Sequence, residues 1–397
     1  MIDETLDISI YFSPIDLEKV AFWGGDDDDD RIGNRIDIHT SEHFPDISEA
    51  KIVILGVGED RNSINNKGCA EAPDAIREQF YQLFYQDNMP KIADIGNLKI
   101  GNQVKDTYII LTDILSSLIQ NDIFPVVLGG SQDLTYAVYL AYQQLDRVIN
   151  ITSIDSRLDL GKEDEPIKSN AYLNKIILSQ PNCLFNYSNV GYQSYFVSNK
   201  ELALMDKLLF DTYRLGLVKQ DMENSEPIIR NADMVSIDMS AVRFADSPGC
   251  KYVSPNGFSG EDICTLAHYA GASDKLSSLG VFEYNPSLDN RKQSAILIAE
   301  MIWYFIQGYM QRTNDLPDVA KGNFFKYYVS LFDNTYKIIF YKSKTSHLWW
   351  MEIPIEEGEN AKFQRNYIIP CSEQDYRTAC QEEVPERWLQ TYKKIKP

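Results

Sequence analysis

Three acidic residues and a glycine pair stand where short apolar runs stop, and they are the first residues here whose placement suggests chemistry. Phe124 to Leu128 runs into Gly129-Gly130, Val148 to Ile154 into Asp155, Met234 to Ile237 into Asp238, and Leu279 to Phe282 into Glu283. Carboxylates gathered in one crevice cannot all stay ionised without a cation among them. If these run ends converge, the chemistry on offer is the holding of positive charge. Taken singly, an aspartate at a strand end caps a neighbouring helix or turn, and that reading stays open for Asp155 and Asp238.

The elements between the runs decide whether they converge. Lys51 to Gly56 (KIVILG) reads as a buried strand, and Ala72 to Tyr85 as a helix with Pro73 in its favoured first turn. Asp106 opens a second helix, with Leu111, Ile114, Leu115 and Leu118 on one face. Further helices are expected over Leu134 to Leu145, Gly260 to Ala272 and Asn290 to Met310. Apolar strands alternating with amphipathic helices predict a three-layer α/β/α domain around a doubly wound, mainly parallel sheet. Ligands of such sheets bind at the carboxyl ends of the strands, where all four run ends fall.

On this reading the α/β domain covers 51–315, residues 1–50 form a polar, irregular extension packed on it, and 316–397 form an addition. In the addition, Phe324 to Phe332 and Tyr336 to Tyr341 flank a turn at Asp333-Asn334, and Ser346 to Pro354 adds a third strand of an antiparallel meander. A short helix-like tail surrounds Trp388. Its aromatic residues suit either a core or a surface for a protein partner.

A net charge of −20 argues against nucleic-acid or anionic-membrane partners. The acidic first twenty residues offer no basic start for a signal peptide, and Ser294 to Met310, broken by Glu300, falls short of a membrane span. Scattered cysteines without a CxxC pair fit free thiols in a reducing cytoplasm. The run Asp26 to Asp30 after Gly24-Gly25 reads as a solvated loop. The four histidines, His39, His43, His268 and His347, stand beside no plausible nucleophile, so Ser-His or Cys-His catalysis has no support. Gly56-Val57-Gly58 is too short for a dinucleotide fingerprint.

Five segments, in order, resemble motifs of the arginase/agmatinase/formimidoylglutamase (ureohydrolase) family. They are Gly68 to Arg77 (GCAEAPDAIR), Gly129 to Leu134 (GGSQDL), Asp155 to Asp159 (DSRLD), Ser236 to Ser240 (SIDMS) and Glu283 to Pro286 (EYNP). The resemblance spans roughly residues 50 to 310 and implies the three-layer fold and an oligomer. It also implies a pair of manganese ions whose bridging hydroxide attacks an amidine or guanidine carbon. Of the six ligand positions it defines, Asp155, Asp159 and Asp238 keep the aspartates. Gln132 and Arg157 replace histidines, and Ser240 replaces an aspartate. The proton-shuttle position falls at Ser169-Asn170, which leaves that role vacant; Asn170, Asp133 (a serine in the family, able to swing in) and Glu283 are placed in the ligand crevice, Glu283 where the family meets the substrate's cationic group.

Arg157 stands two positions after Asp155 and, in extended backbone, faces the same way. A guanidinium there would repel a second ion and could stand in for it by pairing with Asp155 and Asp238. The alternatives are that Arg157 points to solvent, or that Asp155, Asp159, Asp238 and the Gln132 carbonyl hold one magnesium or calcium ion. Two functions are compatible with these residues. One is a pseudoenzyme without cofactor, binding a small cationic or amidine ligand or a protein partner. The other is an active amidine hydrolase with an atypical manganese or other divalent site.

Overall fold

Ten strands assemble into one sheet in the computed structural model, which describes residues 8–18, 20, 30–162, 164–317, 322–332, 336–354 and 365–395. The strands are β1 (Phe12–Ser13), β2 (Asp37–Ile38), β3 (Ile52–Gly56), β4 (Ile92–Leu98), β5 (Phe124–Leu128), β6 (Ile149–Ile154), β7 (Leu184–Tyr192), β8 (Asp211–Arg214), β9 (Met234–Asp238) and β10 (Ser278–Phe282). Their order is β1-β4-β3-β5-β10-β9-β6-β7-β8, with β2 also on β4. Every pairing is parallel except β1 with β4. Asp26 to Asp29 of the aspartate run, Gly24-Gly25 and the Asp333-Asn334 turn lie outside the described residues.

The sheet is buried on both faces, as parallel sheets must be. Along β5, Phe124, Val126 and Leu128 join one apolar cluster with helices Ala72–Phe80, Gly260–Ala272 and Gln293–Tyr309, while Val127 joins the opposite one with helices Val104–Gln120 and Leu134–Gln144. This is the expected α/β/α layering.

Two features of the first hundred residues differ from expectation. The helix starting at Ala72 stops at Phe80, not Tyr85. The next residues are committed elsewhere: Tyr81 and Leu83 carbonyls accept the Gly33 and Ile32 N–H groups, and the Tyr85 N–H donates to Asp30. The N-terminal segment, expected to be irregular, supplies two short strands to the sheet. The polar strand β4 escaped sequence reading because it contains Asp94, Gly96 and Asn97. Asp94 is buried under a bidentate pair from Arg77, at 2.8 and 2.9 Å, and accepts the Tyr81 hydroxyl at 2.8 Å.

The C-terminal addition is a separate antiparallel sheet of β11 (Phe324–Leu331), β12 (Tyr336–Ser343), β13 (Trp349–Glu352) and β14 (Ile368–Cys371). Helices Glu373–Cys380 and Glu386–Ile395 cover it. Trp388 is buried, and Tyr376 stacks on Trp349 with centroids 4.9 Å apart, so these aromatics build a core. Arg230 docks the sheet: its guanidinium lies 4.6 Å from the Trp350 ring and donates to the Trp349 and Cys371 carbonyls. Among the described residues the cysteines are free and no helix is long and apolar enough to cross a membrane.

Candidate ligand and metal site

Four neighbouring strands, β5, β10, β9 and β6, bring Gln132, Glu283, Asp238 and Asp155 to one end of the sheet. Gly129 and Gly130 turn the chain out of β5 at φ of 82° and 73°. A Cβ on Gly130 would lie 2.7 Å from the Val57 carbonyl oxygen, so both the backbone angle and the space demand glycine. The turn buries Gln132, whose backbone N–H donates to Glu283 Oε1 at 2.9 Å.

Asp155, Asp159 and Asp238 form the cluster. All three are buried, and one carboxylate oxygen from each lies within 4.8 Å of the others. Asp155 Oδ1 accepts the Arg157 N–H at 2.8 Å and Asp238 Oδ1 accepts the Ser240 N–H at 2.6 Å. Asp155 and Asp238 therefore each cap a local turn and still contribute to the cluster; the two readings are not exclusive. Asp159 adopts φ of 49°, a left-handed geometry that costs a non-glycine residue energy and is often kept at functional sites. Burial pushes Asp155 up to about 8, aided by the nearby Asp238 charge, and Asp238 up to about 6. Burial and the Asp155 and Asp238 charges hold Asp159 far above the ordinary carboxylate range. Asp155 and Asp159 therefore stay protonated at neutral pH unless a cation is present, while Asp238 is the first of the three to ionise.

Arg157 does not provide that cation by pairing. Among the described residues it forms no ion pair with any of the three aspartates. Its guanidinium carbon lies 4.0 Å from the Phe196 ring centroid and 5.4 Å from that of Tyr252. The expectation of a replacement ion pair assumed extended backbone, but the turn closed by Asp155 bends the chain. The Arg157 carbonyl is fixed by Asn189 Nδ2 at 2.6 Å. Nor does the side chain simply enter solvent: its Nη1 is buried without a hydrogen-bond partner. Its charge still acts through space, lowering the Asp155 and Asp238 pKa values against burial.

The remaining positions divide. Gln132 Nε2 donates to Ser236 Oγ at 2.9 Å, leaving its Oε1 buried and unpartnered, like Asp155 Oδ2. The Ser240 hydroxyl meets that of Ser156 at 3.1 Å. Asp133 is engaged away from the cluster by Ser131, Tyr108 and Asn62, and burial pushes it up to about 6. Asn170 is exposed, and no described hydrogen bond joins it to the cluster; its neighbour Ser169 is buried and accepts the Ile64 N–H. Glu283, at φ of 65°, accepts Asn66 Nδ2 at 2.7 Å, and burial raises it to about 8. Sequence reading missed Asn66, Phe196 and Tyr252. They lie on loops remote in sequence from the residues they hold, and only Asn66, near the start of a recognised motif, left any local signal.

The fold matches a known class of protein. The Arginase family model covers residues 50–307, and the chain belongs to that family. It is 28% identical over 308 residues to a formimidoylglutamase of Staphylococcus carnosus, covering 68% of this chain and 96% of that one. It is 26% identical over 256 residues to a formimidoylglutamase of Lysinibacillus sphaericus, covering 61% of this chain and 79% of the relative. The crystal structure of Bacillus subtilis formimidoylglutamase aligns with a TM-score of 0.65 at 17% identity, over 74% of this chain and 96% of that one. A Trypanosoma cruzi formiminoglutamase solved with manganese aligns at 0.63 and 18%, over 72% of this chain and 100% of that one.

Proposed function

We propose that this chain is a binding protein built on the arginase fold, which holds at most one divalent ion or a small cationic ligand and does not carry out two-metal hydrolysis. The carrying observation is the buried trio Asp155, Asp159 and Asp238, the one metal-competent group among the described residues. The other ligand positions implied by the family resemblance hold Gln132, Arg157 and Ser240.

That donor set does not fit two manganese ions. It contains no imidazole, and Arg157 keeps a fixed positive charge near the cluster. It fits one hard cation, for which the three aspartates and the unpartnered Gln132 oxygen are all oxygen donors. Such an ion would supply the charge that lets the carboxylates ionise. Glu283 is the residue that would meet a cationic or amidine group, although two internal hydrogen bonds already hold its carboxylate.

The relatives named formimidoylglutamase favour a second reading, an active amidine hydrolase with an atypical metal site. One experiment separates the two. The protein is purified with manganese or magnesium, metal per chain is measured, and product release is assayed from formimidoylglutamate, arginine and agmatine. At most one ion and no turnover support the binding protein; two ions with turnover overturn it. Light scattering on the same sample tests the oligomer that the resemblance implies.

A further inference from the structure

We propose that a second cavity, at the ends of β7 and β8, binds a small anion carrying two or more carboxylate or phosphate groups. The cavity measures about 400 Å³. Arg214, Lys219 and Arg243 line it and, among the described residues, no carboxylate does, in a chain whose net charge is −20. Lys219 lies 2.9 Å from Asp262 and Arg243 lies 2.9 Å from Asp246, but neither partner faces the cavity. Both carboxylates are also spent on backbone: Asp262 accepts the Ser259 N–H and Asp246 the Gly260 N–H. They hold the two cations in place and only partly offset them.

Arg214 has no ion pair among the described residues, so its planar fork is free for a carboxylate or phosphate. The rest of the lining is preorganised. Gln193 Nε2 donates to the Asn256 carbonyl at 3.1 Å, and the Tyr195 hydroxyl donates to Gln193 Oε1. The placement is also that of a ligand site, because Tyr192 closes β7 and Arg214 closes β8 at the carboxyl end of the sheet.

This cavity shares a wall with the aspartate crevice. The Gln193 N–H donates to the Ser156 carbonyl at 3.0 Å, and Phe196, whose N–H donates back to Gln193, carries Arg157 on its ring. An anion seated against Gln193 and Tyr195 is thus one hydrogen bond, Gln193 N–H to the Ser156 carbonyl, from the turn that holds Arg157.

The test is calorimetric titration of the full chain with pyrophosphate and, separately, with citrate. One saturable site per chain is expected for at least one of them, and which one binds tells phosphate from carboxylate chemistry. Arg214→Ala should weaken that binding by about tenfold or more, the scale of a lost charge-assisted hydrogen bond. Arg243→Ala serves as a second variant should the first not fold. Arg377→Ala, an exposed arginine on a C-terminal helix, should leave affinity unchanged. No saturable binding of either anion, wild-type affinity in folded Arg214→Ala, or equal weakening by Arg377→Ala would each overturn the proposal.

Discussion

Arg157 rests on Phe196, with 4.0 Å from guanidinium carbon to ring centroid, and among the described residues it bonds to Asp155 through its backbone N–H and not its guanidinium. The positive charge is near the carboxylates without neutralising them. Arg157→Ala should therefore tighten divalent-cation binding, by about fivefold for roughly 1 kcal/mol of relieved repulsion across a partly screened separation. Titration calorimetry with magnesium measures this; equal affinity in both proteins would refute it.

Removing the ring should have the opposite sense. Phe196→Ala takes away the face that holds Arg157, worth about 1–2 kcal/mol where the cation is partly desolvated. Urea unfolding should show that loss of stability. Cation affinity should fall as well, if the released guanidinium swings onto the aspartates.

The buried acids set a pH dependence for the metal-free protein. Asp155 and Glu283 are pushed up to about 8 and Asp238 to about 6, all above their values in an unfolded chain. Groups shifted in this direction stabilise the fold at low pH, where they are protonated in both states. That contribution is lost as pH rises from the ordinary carboxylate range, about 4, up through about 6 to 8, because the unfolded chain ionises first and the folded state resists ionisation. In EDTA the thermal midpoint should drop across this window, and magnesium should restore it most at the alkaline end. A midpoint that rises over that range would contradict the assignment.

Asn66 is a smaller and cleaner test. Its Nδ2 donates to both the carboxylate and the backbone carbonyl of Glu283, at 2.7 and 3.0 Å, and the residue is buried. Asn66→Ala should cost about 1–3 kcal/mol through the unsatisfied acceptors it leaves. Chemical denaturation would show this as a lower midpoint with an unchanged slope.

Much of the sheet was legible because β3, β5, β9 and β10 are largely apolar runs, β6 intersperses isoleucines with small polar residues, and each run ends at a residue of distinct type. β4 and β7 were not. Their Asp94, Asn186, Ser188 and Asn189 look like loop residues until their partners appear: buried Arg77 for Asp94, and half-buried Asp211, which accepts from Asn186 and Ser188. Within the site, the convergence of Asp155, Asp159 and Asp238 followed from ordered motifs. The direction of Arg157 did not, since it depends on a turn that reverses local alternation and on rings supplied by two distant loops. Asn170 shows the converse limit, because a loosely matched motif position carries no information about exposure.

The family model ends at residue 307, yet the core it covers leans on the C-terminal sheet beyond that point. Arg230 spends its guanidinium on the carbonyls of β13 and β14, and Asp233 lies 2.7 Å from Arg365. Asn150 on β6 donates to Asn366. Arg230→Ala should accordingly cost about 3 kcal/mol and expose the C-terminal sheet to limited proteolysis. The C-terminal sheet is thus part of what holds the start of β6 and the Arg230 helix in place. A fragment cut at the family boundary would keep Glu226 beside Arg230 and Lys275 beside Asp233 but lose the Trp349 and Cys371 carbonyls and Arg365, so the shortest self-sufficient unit of this protein is longer than its family region.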